Sequence, residues 1–286
     1  MTISNQAGQI AQNADHYGEL RLYKLYPLET TQQLSYLIQA IQYGKIWAGA
    51  PSAFNDPYDC QPAFKRDYPL EICKQEVERR WTEKSEQPLS ELELERRAIH
   101  LMHAALNDPA MQDKEKAVLR AMNTKFGVAC FTDQYSSVLM WSHYATKHQG
   151  ACIEVPHDRG VLENTEAGKS PLMERVKYDP NRPTLALFEM DFQDSLGIMR
   201  TIRNCLITKA QEWEYEREWR IFADGPNKYL NIRKDSVKAV TLGALMDENV
   251  KKAVIHAARS APHPVAVYQA KLSDTKYEIE RYPVLP

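Results

Sequence analysis

Cysteine is sparse and unpaired in this chain: the five residues at 60, 73, 130, 152 and 205 are odd in number, widely spaced and without a CxxC pair. That pattern argues against a disulfide scaffold and against a cysteine zinc cluster. Glycine signatures are missing as well. Neither a GxxxxGK[ST] loop nor a GxGxxG turn occurs, which disfavours P-loop and Rossmann nucleotide sites, and no GxSxG elbow supports a hydrolytic triad. No apolar run is long enough to cross a bilayer, and MTISNQAGQIAQNADHYGEL has neither the basic nor the apolar region of a signal peptide. A cytoplasmic location without membrane contact is the expectation. Neither sign of charge prevails, since 36 basic against 38 acidic residues leave a formal net of -2, so no global basic field points to nucleic acid. No internal repeat or low-complexity tract is visible.

What is present suits an ordinary core: 286 residues, 43% of them hydrophobic, within reach of one large α+β domain. Residues 1–19 read as a flexible arm and 20–286 as a single domain, with a helical insertion at about 68–124. Alternation in LRLYKLY predicts a first strand, with Arg21, Tyr23 and Leu25 on one face and Leu22, Lys24 and Tyr26 on the other. Thr30 or Thr31 then caps a helix ended by Gly44, and residues 45–49 form a short strand. Within the insertion, Pro88 and Pro109 divide three helices, and Ser90 with Glu93 makes a capping box for the middle one.

The chain is organised around FGVACFTDQYSSVLMWSHYATKHQGACIEVP, residues 126–156. Residues 126–132 predict a buried strand, Asp133 and Ser136 offer caps, and a helix over 137–145 places Met140 and Tyr144 on one face and Leu139 and His143 on the next. Gly150 ends the turn and residues 151–155 form a second strand. Cys130 and Cys152 fall inside these strands as buried fillers. Further on, residues 173–178 predict a strand, and apolar spacing from Leu185 to Leu206 predicts a helix over 184–210. Residues 237–244, 247–261, 265–272 and 277–284 read as strand, helix, strand and strand.

Three places carry candidate chemistry. The loop APSAFNDPYDC ties itself down through Asn and Asp turns, and Asn55 and Asp56 beside Phe54 and Tyr58 suit a flat polar ligand; a rigid turn is the plain alternative. At the helix end, His143 and Tyr144 are placed to stack on and hydrogen-bond a ring, or simply to pack. If residues 216–223 are extended, Glu216, Glu218 and Arg220 share one face, with Lys209 near in sequence. Paired carboxylates with a balancing cation stabilise an oxocarbenium-like sugar cation, whereas a solvated ion-pair ladder would do nothing. His100 and His103 share a helix face but lack a carboxylate to complete a set, and His143 and His148 are five apart, so no metal site is expected.

LYKLY, IWAGAPSAFNDPYDC, the central stretch and the Lys before WEYEREWR together resemble the bacterial domain-of-unknown-function family 2971, over roughly residues 20–225. A weaker resemblance is to ADP-ribosyltransferases. GVACFTDQYSS and the helix ending in Tyr144 are similar to the strand and helix that build their nicotinamide pocket, and Glu216-Arg217-Glu218 resembles their E-x-E pair. That resemblance implies a split, mostly antiparallel sheet and NAD as substrate. It further implies that Glu218 holds the ribose hydroxyl and stabilises the sugar cation while Glu216 orients the acceptor. Arg21, Tyr23 and Lys24 stand where such enzymes take a cofactor ligand from an early strand, and Arg220 joins them as the cation of the acidic face. A Ser-Thr-Ser signature on the second strand has no counterpart beyond Ser52. The expected function is therefore NAD-using ADP-ribosyl transfer, as a bacterial conflict or stress effector, to an unidentified protein or nucleic-acid acceptor. A metal-dependent nuclease built on Glu214, Glu216, Glu218 and Lys209 is the alternative, and a non-catalytic nucleotide-binding or interaction module is a third reading.

Overall fold

The computed structural model describes residues 20–83, 87–157, 173–190 and 194–285; the arm expected at 1–19 lies outside them. The chain begins with β1 (Arg21–Tyr26), α1 (Thr31–Tyr43), β2 (Lys45–Ala48) and β3 (Ala63–Phe64). Three helices follow, α2 (Leu70–Thr82), α3 (Glu91–Asn107) and α4 (Pro109–Lys125), and then β4 (Phe126–Thr132), α5 (Val138–Tyr144) and β5 (Ala151–Pro156). Next come β6 (Met173–Arg175), β7 (Lys177–Asp179), β8 (Thr184–Leu185), α6 (Ser195–Ile207) and β9 (Thr208–Ala210). The last part holds β10 (Glu218–Asp224), β11 (Lys228–Asn231), β12 (Ala239–Leu242), α7 (Glu248–Arg259), β13 (Ala266–Leu272) and β14 (Ile279–Leu285). These elements form two compact units. One takes the chain up to Gly49, Gly127–Val176 and the part from Trp213 onward; the other takes Ala50–Phe126 and Lys177–Glu212.

The first unit is an α+β body on one eight-stranded sheet, ordered β14-β13-β12-β5-β1-β4-β10-β6, with a separate two-stranded pair of β2 and β11. As expected, the sheet is mostly antiparallel. β12 and β13 are parallel, joined by α7 as a crossover. Side-chain alternation gives the sheet two buried faces. On one, Leu22, Ala129, Ile153, Val155 and Ile221 pack with Leu37 and Ile41 of α1 and Val254 of α7. On the other, Tyr23, Cys152 and Ala270 pack with Trp141 of α5.

Helix α1 starts and stops as its sequence dictates. Thr30 and Gln33 form a reciprocal capping box, and Gly44 closes the helix in the left-handed region at φ 63°. Helix α5 is capped differently from expectation, because the Ser137 hydroxyl accepts from the Met140 amide. Asp133 is drawn instead into an ion pair with Arg217, and the Ser136 carbonyl accepts from the Ile279 amide. After α5 the backbone runs through three left-handed residues, Thr146, Lys147 and His148, at φ 48°, 51° and 68°. That conformation is costly for residues with a Cβ. Long-range bonds hold it, since the Thr146 hydroxyl accepts from the Leu28 amide and the Leu245 amide donates to the His148 carbonyl. Gly150 follows because a Cβ there would strike the Tyr26 carbonyl and the Ala145 backbone.

The second unit contains the three expected helices, inside residues 68–124 save for the last residue of α4. The Ser90 hydroxyl accepts from the Glu93 amide at the start of α3, and Asp108 caps α4 with Pro109 in its first turn. Tyr68, Cys73, Ala98, Met111, Leu187 and Phe188 form its core. Buried Glu76 accepts from both Arg79 and Arg80, and buried Lys209 lies 3.5 Å from buried Asp59.

Several elements differ from the sequence reading, and the single strand expected over 173–178 is two, β6 paired with β10 and β7 paired with β9. The helix expected over 184–210 is confined to Ser195–Ile207. Thr184–Leu185 pairs in parallel with Ala63–Phe64, and Thr208–Ala210 with Lys177–Asp179, so backbone pairing overrides apolar periodicity at both ends. The strand expected from residue 216 begins at Glu218. Residues 211–216 form a 3-10 turn, closed by the Arg217 amide donating to the Glu214 carbonyl, with Arg217 left-handed at φ 48°.

Candidate functional site

Of the residues singled out in the sequence, Lys24, His143, Tyr144, Glu216, Glu218 and Arg220 lie in the first unit near the start of β10, Arg21 and Tyr23 lie elsewhere in that unit, and Asn55, Asp56 and Lys209 belong to the second. The kink at Arg217 divides the acidic pair. Its guanidinium lies 2.5 Å from the Asp133 carboxylate, whose other oxygen accepts from the Trp219 indole at 3.3 Å. Arg217 thus interrupts the extended run between Glu216, which ends the 3-10 turn, and Glu218, which opens β10.

Glu218 and Arg220 do share a face. Arg220 Nε donates to Glu218 Oε1 at 2.7 Å and Nη2 to Oε2 at 2.9 Å, a two-pronged pair with both side chains buried. On neighbouring β4, the Cys130 thiol is pushed well up by burial and by the Glu218 carboxylate against it. It is therefore a protonated filler, as is Cys152, whose thiol burial also raises. From β1, Lys24 Nζ donates to the Cys130 carbonyl at 3.2 Å, and burial pulls its ammonium below its ordinary value.

Glu216 is also buried, but its surroundings differ. Tyr144 at the end of α5 donates its hydroxyl to Glu216 Oε1 at 2.5 Å. The His143 ring lies 6.2 Å from Tyr144 and 6.4 Å edge-on from Trp213, which lies 6.0 Å from Tyr215. His143 is exposed, while Tyr144, Trp213 and Tyr215 are half-buried. A buried carboxylate with a tyrosine hydroxyl on it, beside half-exposed rings, is a set of groups able to bind a flat ring and face a developing positive charge.

The early-strand candidates are otherwise engaged. Arg21 lies 3.8 Å from Glu154. Tyr23 is buried against Tyr135, and burial beside Glu154 raises its hydroxyl to about 12. Arg281 donates to Glu154 at 2.8 Å with its guanidinium 4.5 Å from the Tyr135 and Tyr268 rings. No short-range signal announced this last cluster, which β5, β13 and β14 assemble from distant sequence. In the second unit, Asp56 accepts from the Tyr58 amide at 2.8 Å, the expected Asx turn. Asn55 is exposed beside it, and Arg182 fastens the same loop by donating to the Gln61 and Pro62 carbonyls. Among the described residues, no group of three or more His, Cys, Asp or Glu is arranged to hold a metal ion. No helix among them is long and apolar enough to cross a membrane.

His148, beyond the same helix, gives a pH test of the surrounding fold. Its Nε2 lies 3.1 Å from the Ser142 hydroxyl, its Nδ1 is buried without a partner, and burial lowers its pKa. The unfolded chain therefore takes up a proton near pH ~6.5 that the folded chain resists. Stability is fully present above that pH and falls as the pH drops toward the lower folded value. In denaturant titrations His148→Asn, which tolerates left-handed backbone, is expected to lose part of this fall. An identical acid slope in both proteins would show that His148 does not contribute.

Compared with known families, residues 140–221 match the family model described as "Protein of unknown function (DUF2971)". The match runs from within α5 to the start of β10, so it takes in Tyr144, Glu216, Glu218 and Arg220, and it supports the family resemblance read from the sequence. No curated protein and no solved structure matches this chain.

Proposed function

We propose that this protein is an NAD-using glycosyltransferase of the ADP-ribosyltransferase type, with Glu216 as the carboxylate that meets the sugar cation. The observation that carries this reading is the Tyr144–Glu216 contact of 2.5 Å beside His143, Trp213 and Tyr215. Glu218 pairs with Arg220 on its own strand. In the proposed reaction the bond between nicotinamide and ribose C1′ breaks, and its electron pair leaves with nicotinamide. The Glu216 carboxylate stabilises the cation left on the ribose, the nearby rings hold the departing base, and an acceptor nucleophile bonds to C1′ as it gives up its proton.

These roles differ from those the family resemblance implies, because Glu218 is committed to a buried ion pair while Glu216 borders half-exposed rings. Nicotinamide release by wild type, lost in Glu216→Gln and reduced in Tyr144→Phe, is the expected outcome. Binding of NAD without release by folded wild-type protein would favour a non-catalytic nucleotide-binding module. The nuclease reading needs Glu214, Glu216, Glu218 and Lys209 to act together, whereas Glu214 is exposed while Glu216 and Glu218 are buried.

A further inference from the structure

The second unit carries a basic concavity of its own. A cavity of about 650 Å³ is lined by Arg80 and Trp81 of α2 and by Arg96, Arg97 and His100 of α3. Val77 and Leu101 add apolar surface, and among the described residues no acidic side chain lines it. Its volume falls within the range of small-molecule sites.

The arginines are held in place by carboxylates outside the lining. Arg80 Nε donates to Glu76 Oε1 at 2.6 Å and Arg97 Nε to Glu93 Oε1 at 2.6 Å. Arg96 donates through Nε and Nη2 to the two Glu93 oxygens, each at 3.0 Å. Arg96 and Arg97 keep the Glu93 carboxyl down at about 2, so this anchor stays charged throughout the neutral range. The terminal nitrogens of Arg80 and Arg97, and Nη1 of Arg96, have no partner in these pairs and remain as donors in fixed forks. Trp81 is fixed as well. Its indole N–H donates to the Gln87 carbonyl at 2.8 Å, and the Arg97 guanidinium lies 4.7 Å over its ring.

Three guanidinium groups line one cavity and two carboxylates, Glu76 and Glu93, hold them from outside, which leaves an excess of positive charge and free guanidinium N–H donors for an anionic ligand. Planar forks suit phosphate oxygens, and an indole already stacked on a guanidinium suits the flat face of a base. We propose that this cavity binds a nucleoside polyphosphate, with the phosphates on Arg80, Arg96 and Arg97 and the base against Trp81. The site is separate in sequence from the carboxylates of β10 and does not depend on the reaction proposed there.

Calorimetric titration of the full chain with ATP, with inorganic tripolyphosphate as comparator, tests the proposal. Wild type is expected to bind ATP more tightly than tripolyphosphate, and more weakly as salt rises. Arg96→Ala/Arg97→Ala is expected to weaken ATP by about tenfold or more. Both arginines are well exposed and paired within one helix, so this variant is expected to melt close to wild type. Arg97→Lys keeps the charge but loses the fork, and should fall between the two. Trp81→Ala should weaken ATP and leave tripolyphosphate unchanged, and Glu216→Gln should bind ATP as wild type does. Absence of ATP binding by folded wild type, or equal affinity in the double-arginine variant, would overturn the proposal. Equal loss of both ligands in Trp81→Ala would remove its nucleoside part.

Discussion

Replacing Glu218 with Gln is expected to lower the free energy of unfolding by about 3 kcal/mol or more, the usual cost of stripping the charge from one half of a buried pair. Arg220 is fully buried, and both of its bonds to Glu218 come from a carboxylate two residues away on the same strand. A carboxamide keeps one acceptor but presents an N–H where the second bond was, and leaves the guanidinium charge without its counter-charge in a low-dielectric interior. Cys130 and Lys24 share this environment, so the damage extends to β4 and β1. Denaturant unfolding near neutral pH reads the effect directly. The double variant Glu218→Gln/Arg220→Met is expected to recover part of the loss, since an apolar pair of similar volume needs no charge compensation. A loss under about 1 kcal/mol in the single variant would show that the pair is solvated and weak. It follows that loss of activity in Glu218→Gln would be ambiguous, because misfolding and chemistry would both produce it.

Glu216→Gln is the cleaner functional variant, with nicotinamide release expected to fall by about a hundredfold or more. The carboxamide oxygen still accepts the Tyr144 hydroxyl, so that bond is kept, and a melting temperature measured on the same protein separates loss of fold from loss of chemistry. What disappears is the negative charge facing the sugar cation. Tyr144→Phe keeps the ring and the charge but removes the 2.5 Å bond that orients the carboxylate, and a smaller loss of about tenfold is expected. A Tyr144→Phe protein as inactive as Glu216→Gln would assign the hydroxyl itself to the chemistry. Full activity in Glu216→Gln would remove this carboxylate from the reaction.

Much of the first unit was legible in its sequence because its signals are local. Thr30, Gln33 and Gly44 define α1 by capping alone, and Asp247 accepts from the Asn249 and Val250 amides at the start of α7. The strand, helix and strand of residues 126–156 formed as patterned, and Glu218 and Arg220 were correctly placed on one face by their period of two. What was hidden is non-local. Arg217 takes a left-handed conformation that spacing does not suggest, and it is bound to Asp133 from the other side of a long sequence gap. That single residue turns Glu216 away from the strand and toward Tyr144.

The overlong helix has a related cause. Leu185, Leu196, Met199 and Leu206 follow a helical period, yet Leu196 and Met199 are exposed while Leu185 and Leu206 are buried. Phe192, counted in the same stripe, lies outside the described residues. Pairing of Thr184–Leu185 with Ala63–Phe64 depends on a segment about 120 residues earlier, which no window of spacing can see. β11 escaped notice for the same reason: KYLN is short and polar at both ends, and its strand character comes from Lys45–Ala48. At the site, the contact between Cys130 and Glu218 likewise exists only because the sheet places β4 beside β10.

The most direct measurement is nicotinamide release from NAD by the purified full chain, with cell lysate supplied as a source of acceptor, run beside Glu216→Gln of matched melting temperature. Release by wild type and its loss in the variant is the expected result, and it would tie NAD chemistry to the carboxylate under Tyr144. No release from folded wild-type protein, with or without lysate, would contradict the proposed reaction.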